Sequence, residues 1–122
     1  MGNATLLTPE SRLGFPIQAL AFDEVLDNHN FAAGATAPLI TQIPNDLKGV
    51  GCVVISSRRN YWMLVREPGD NTIISANNGF IMPADTLTYV AVTAGQTIAF
   101  LRAVNQQTQI SIALCKYLER GP

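Results

Sequence analysis

Charge is the scarcest resource in this chain. Only 14% of its 122 residues are Asp, Glu, Lys or Arg, where soluble domains carry about 25%, and the two signs nearly cancel to a net −1. Binding to a phosphate backbone needs a stripe of cations that displaces counterions. The only adjacent basic pair is Arg58-Arg59, so nucleic acid is not an expected partner. Long apolar runs are also missing. Val50 to Ile55 and Ile98 to Leu101 are typical of what is present, far short of the ~20 residues that cross a bilayer, and no basic segment precedes an apolar one at the N-terminus. A membrane is therefore not an expected partner, and the chain does not read as a secreted precursor.

The residues that carry chemistry are equally sparse. There are two cysteines, Cys52 and Cys115, too few for a disulfide scaffold. Both stand in apolar, strand-like surroundings and read as free buried thiols behaving as small hydrophobes. A bridge between them would require their strands to be neighbours. The single histidine, His29, lies in the polar run Asp27-Asn28-His29-Asn30, which reads as a loop. Neither cysteine has a Cys or His at ligand spacing, so no metal is expected. Gly49-Val50-Gly51 lacks the further glycine of a dinucleotide fingerprint, and no Gly-Lys-Ser/Thr follows it, so no nucleotide cofactor is expected either. No nucleophile elbow is present. The acids, among them Asp23, Glu24, Asp27, Asp46, Glu67, Asp70 and Asp85, scatter over turns. Solvated turns explain them better than a paired general acid and base. The expectation is that the chain is not an enzyme.

What is abundant is apolar and β-forming. Hydrophobic residues make up 48% of the chain, enough for one continuous core in a single domain of common size. Turn signals recur: Asp27 to Asn30, Pro44-Asn45-Asp46, Arg58-Arg59-Asn60, Pro68 to Asn71, Asn77-Asn78-Gly79, Ala94-Gly95-Gln96 and Asn105-Gln106-Gln107. Most are spaced by about 8 to 12 residues, as in a sandwich or barrel. Between them lie eight runs rich in β-branched and aromatic residues: Gln18 to Leu26, Leu39 to Ile43, Val50 to Ser56, Tyr61 to Arg66, Thr72 to Ser75, Thr86 to Val92, Thr97 to Val104 and Thr108 to Tyr117. An all-β fold of about eight short strands follows. Ile98, Phe100, Arg102 and Val104 alternate with Ala99, Leu101 and Ala103, and Ile110, Ile112 and Leu114 alternate with Gln109, Ser111 and Ala113. Asn105 to Gln107 reads as the hairpin joining these two strands. Val50 to Ile55, apolar at nearly every position, reads as a strand covered on both faces, whether by the core or by a partner.

Residues 1–16 stand apart as an N-terminal arm, leaving 17–122 as the β domain. One short helix is credible there, with Thr8 as N-cap, Pro9 at the first helical position and Glu10 in the first turn. Leu6, Leu7, Leu13 and Phe15 make the arm apolar enough to need a surface, either its own sandwich or a neighbouring subunit. A second candidate contact patch is Tyr61-Trp62 just after Arg58-Arg59, since aromatic faces beside a basic tip provide rigid contact area. The competing reading makes Tyr61 and Trp62 alternate core and surface residues of one strand. Low charge with high apolar content also predicts self-association.

From Asn77 onward the order of features is distinctive. Asn78-Gly79-Phe80-Ile81-Met82-Pro83-Ala84-Asp85 is followed by Tyr89-Val90-Ala91-Val92. Gly95-Gln96-Thr97-Ile98-Ala99-Phe100-Leu101-Arg102-Ala103 comes next, and then a closing strand from Gln109 to Tyr117. This pattern resembles the C-terminal β-modules of small tailed-phage virion proteins: head decoration (cement) proteins, head fibres and some tail or neck proteins. The resemblance implies a single antiparallel β-sandwich, jelly-roll-like and often trimeric, located in the virion. Its partners would be itself, as a homotrimer, and the major capsid protein or another virion protein. The function it implies is capsid decoration that stabilises the head. The alternative is a tail, neck or fibre module that binds a host receptor or glycan.

Overall fold

The computed structural model describes residues 19–118, which form two four-stranded sheets packed face to face. In chain order the strands are β1 (Ala19–Phe31), β2 (Leu39–Gln42), β3 (Val50–Ser57), β4 (Tyr61–Arg66), β5 (Phe80–Met82), β6 (Thr88–Thr93), β7 (Thr97–Arg102) and β8 (Thr108–Leu118). The first sheet has the order β1-β8-β3-β6 and the second β2-β7-β4-β5. Every pairing is antiparallel. The pairs β1·β8, β2·β7, β3·β6 and β4·β5 nest inside one another, as if one long hairpin had been wound into a sandwich. That winding defines a jelly roll. Only β4 and β5 are both consecutive in sequence and paired, so nearly every sheet contact joins distant parts of the chain.

Alternation sends one side chain in two to the interior. Val53 and Ile55 of β3, Ile98 and Phe100 of β7, and Ile110, Ile112 and Leu114 of β8 meet Phe31, Tyr61 and Val92 in one core. Full burial of each such side chain stabilises the fold by about 1.5 to 3 kcal/mol. The ring of Phe100 is central, tilted against Tyr61 at a centroid distance of 6.0 Å and against His29 at 5.5 Å. β3 takes the central position its composition indicated, between β8 and β6. Its other face carries Cys52 and Val54 into a second, smaller buried cluster with Cys115. Val50, at the start of the strand, is exposed.

Three local expectations need correcting. The run Thr72 to Ser75 is not a strand. Asp70 Oδ1 accepts from the Thr72 N–H and hydroxyl at 2.9 and 2.6 Å. Asn78 accepts from the Ser75 N–H at 2.7 Å and donates to the Ile73 carbonyl at 2.9 Å. With side chains satisfying the backbone, no ladder partner is needed. The strand that occupies the edge is Phe80–Met82. Second, Asp27 to Asn30 is no loop but part of β1, whose bulges after Phe22 and Val25 re-aim the strand. There Asn28 accepts from the Ser111 hydroxyl at 2.7 Å, and Asn30 accepts from the Gln107 amide at 3.1 Å. Third, Asn105 to Gln107 does not close a hairpin, because β7 and β8 belong to different sheets. Arg102 marks the crossing by donating to the carbonyls of Ala35 and Val104. The expected arm and short helix, in residues 1–16, lie outside the described residues.

Candidate functional site

A trough crosses the face of the first sheet that points away from the core. Strand alternation puts Val54 and Ser56 of β3 and Ser111 and Ala113 of β8 on this face. Two hollows of about 580 and 550 Å³ share Ser56, Ser111 and Leu87, so they run together. One end is lined by Arg58, Arg59 and Asp85 with Gln107 and Gln109, the middle by Val54, Leu87 and Ala113, and the far end by Val25 with Asp23 and Glu24. The trough therefore carries two cations and one carboxylate at one end, is apolar in its middle and is acidic at the other.

Hydrogen bonds shape the basic end. The Ser57 hydroxyl donates to the Arg59 carbonyl at 2.8 Å and sits 3.1 Å from the Arg59 N–H, which tightens the turn between β3 and β4. The loop between β5 and β6 is clamped onto that turn. The Asp85 N–H donates to the Ser57 carbonyl at 2.8 Å, and the Ala84 N–H to Asn60 Oδ1 at 2.7 Å. Asp85 adopts a left-handed φ of 58°, a conformation Asp tolerates better than most residues. The exposed guanidiniums of Arg58 and Arg59 make no ion pair with another described residue. Together with the Ser56 hydroxyl and the Gln109 amide they offer hydrogen-bond donors to a partner bearing carboxylates or hydroxyls.

His29 is elsewhere. Its ring faces the interior, where Nε2 lies 2.7 Å from Thr41 Oγ1 and 3.6 Å from Asp27 Oδ2. Burial lowers its pKa, and the Asp27 charge opposes that shift.

The sequence-predicted patch is taken apart by the fold. Arg58 and Arg59 line the trough. Tyr61 is 0% exposed and belongs to the core, so it offers no contact surface. Strand alternation turns it inward, and burial raises its pKa despite the Thr88 side chain beside it. Trp62, the next residue, faces outward on the other sheet, opposite Leu101 and Ile81. The remaining candidates, Leu6, Leu7, Leu13 and Phe15, lie outside the described residues.

Sequence reasoning missed a second surface. On the outer face of the second sheet, register aligns Ile40, Ala99 and Leu64 in one row and Leu101, Trp62 and Ile81 in the next. Apolar side chains thus cross all four strands on this outer face, where Ala99 is buried and Leu64, Trp62 and Leu101 are partly buried. Ile40 at 45% and Ile81 at 43% exposure remain open at the two margins, with Ile73 and Phe80 also exposed. The clue in the sequence was β4 itself, apolar at five consecutive positions from Tyr61 to Val65. Arg66 finishes this face. It donates from Nε to Thr97 Oγ1 and from Nη1 to the Thr72 carbonyl, both at 2.9 Å, and so ties down the loop between β4 and β5. Gly79 in that loop has no room for a Cβ, which would sit 2.9 Å from the Ser75 carbonyl oxygen and 3.1 Å from Trp62 Cβ.

The fold and its surfaces define an eight-stranded jelly roll with an apolar outer face and a charged trough. No family model, curated protein or solved structure matches the chain.

Proposed function

We propose that this chain is a non-enzymatic structural subunit of a tailed-phage particle. In this reading it is a decoration protein that trimerises, sits on the head lattice beside the major capsid protein and stabilises the shell. The observation that carries the reading is the apolar outer face of the second sheet. Antiparallel sheets that meet water on one side alternate polar and apolar residues. Here Ile40, Leu64, Trp62, Leu101 and Ile81 occupy the side that should be polar. Covering such a face against a neighbour recovers about 25 cal/mol for each Å² of apolar surface. A subunit that binds only the assembled shell then stabilises it by mass action. The sparse charge and the resemblance of residues 77–117 to phage β-modules support the same reading.

The test combines native mass measurement of the purified protein at micromolar concentration with sedimentation of the protein on intact heads of the virus that encodes it. A trimer that pellets with heads in fixed proportion and raises their resistance to heat is expected. A monomer that stays in the supernatant overturns the proposal.

One observation favours a second reading, a module that binds an acidic glycan or receptor. Arg58 and Arg59 hold their charges at one end of the trough, with no ion pair among the described residues although Asp85 lines the same hollow. Binding of a sialylated or uronic-acid glycan that is lost in an Arg58→Ala/Arg59→Ala double variant would establish it. Absence of binding to such glycans would dismiss it.

A further inference from the structure

The fold brings the two cysteines together. Cys52 is a direct cross-strand partner of Cys115 in the antiparallel pairing of β3 with β8. Their side chains share one small buried cluster with Val54 and Ala113. Both are free thiols, exposed by only 6% and 5%. Directly opposed residues of antiparallel strands hold their Cβ atoms about 4.5 to 5.5 Å apart, while a disulfide asks for about 3.5 to 4.5 Å. The two Cβ atoms therefore have to close a gap of at most about 2 Å.

The geometry points to Cys52 and Cys115 as a site of intramolecular disulfide formation that ties β3 to β8 at the centre of the first sheet. The oxidant is a small-molecule disulfide such as oxidised glutathione. One cysteine thiolate attacks a glutathione sulfur, forming a mixed disulfide and releasing one glutathione thiolate. The second cysteine thiolate attacks the protein sulfur of that mixed disulfide and displaces the second glutathione. Two protein thiols become one disulfide, the oxidised glutathione is reduced to two thiols, and the two cysteine protons end on them. Burial raises the pKa of both thiols and shuts out the oxidant, so the exchange belongs to a chain in which β3 and β8 are still open. The bond closes a loop holding about half of the chain, and a loop of that size restrains the unfolded state strongly. The inference is independent of the functional reading above.

The experiment uses the full chain, fully reduced, in two arms: refolded with oxidised glutathione present, and incubated with it while folded. The expected product has lost two hydrogens and carries no glutathione. On digestion without reductant it yields a peptide linking Cys52 to Cys115, and its thermal midpoint exceeds that of the reduced protein by on the order of 10 °C. Appearance of that product in either arm supports the inference. Free thiols, glutathione adducts or cross-links between chains in both arms overturn it, as does a disulfide that lowers the midpoint.

Discussion

The Nε2 atom of His29 lies 2.7 Å from the hydroxyl of Thr41, and this contact ties β1 of the first sheet to β2 of the second across the interior. Thr41 is fully buried and the His29 ring stacks at a tilt on Phe100, so the only histidine acts as a strut between the layers.

Stability should therefore fall in mild acid. Burial, the larger effect, holds the His29 pKa below its ordinary 6.5, and the Asp27 carboxylate acts against it. Between the lowered native pKa and 6.5 the unfolded chain binds more protons than the native one, so acidification favours unfolding. The thermal midpoint is expected to drop between about pH 7.5 and about pH 5.5, and to drop less in a His29→Gln variant. Equal slopes for the two proteins would contradict this. Asp70, whose carboxyl is lowered from 3.8 by its bonds to Thr72, contributes stability that is lost only as the pH falls through that more acidic range.

Tyr61 should tolerate loss of its hydroxyl. The phenolic oxygen is buried and has no partner of good hydrogen-bond geometry, although the Thr88 side chain is near. A buried polar group left unpaired costs about 1 to 3 kcal/mol. Tyr61→Phe is expected to be neutral or stabilising in urea denaturation. Phe100→Ala, which empties the centre of the core, is expected to cost about 3 to 5 kcal/mol. A large loss in Tyr61→Phe would mean that the hydroxyl has a partner after all.

Arg66 should govern the loop between β4 and β5. Its guanidinium reaches Thr97 and the Thr72 carbonyl at once, which the single ammonium of lysine cannot do with the same geometry. Arg66→Lys is expected to lose about 1.5 to 3 kcal/mol of stability and to speed limited proteolysis within residues 67–79. Unchanged cleavage would leave the loop held by its own Asp70 and Asn78 bonds.

The apolar margins should matter for assembly and little for the fold. Ile40 and Ile81 are half exposed and lie outside the core, so Ile40→Asp and Ile81→Lys are expected to shift stability by about 1 kcal/mol or less. If the second sheet's outer face is the interface, both variants should sediment as monomers. Retention of the native oligomer in both would place the interface elsewhere.

Which segments extend and which side chains turn inward was legible along the chain, because both depend on neighbours one or two residues away. β-Branched runs between turn residues located seven of the eight strands, and alternation put Ile98, Phe100, Ile110, Ile112 and Leu114 inside. Local pattern misled where side chains took over backbone bonding, as at Thr72 to Ser75, where polar residues sat on a bulged strand, as at Asp27 to Asn30, and where the chain crossed between sheets, as at Asn105 to Gln107. Tertiary structure alone decided which strands are partners. In a jelly roll almost every pairing closes a long loop, a choice made by the collective packing of two sheets and encoded in no single segment. That is why the facing of Cys52 and Cys115, the joining of the β3–β4 turn, the β5–β6 loop and β8 into one trough, and the separation of Trp62 from Arg58 and Arg59 could be read only from the folded chain.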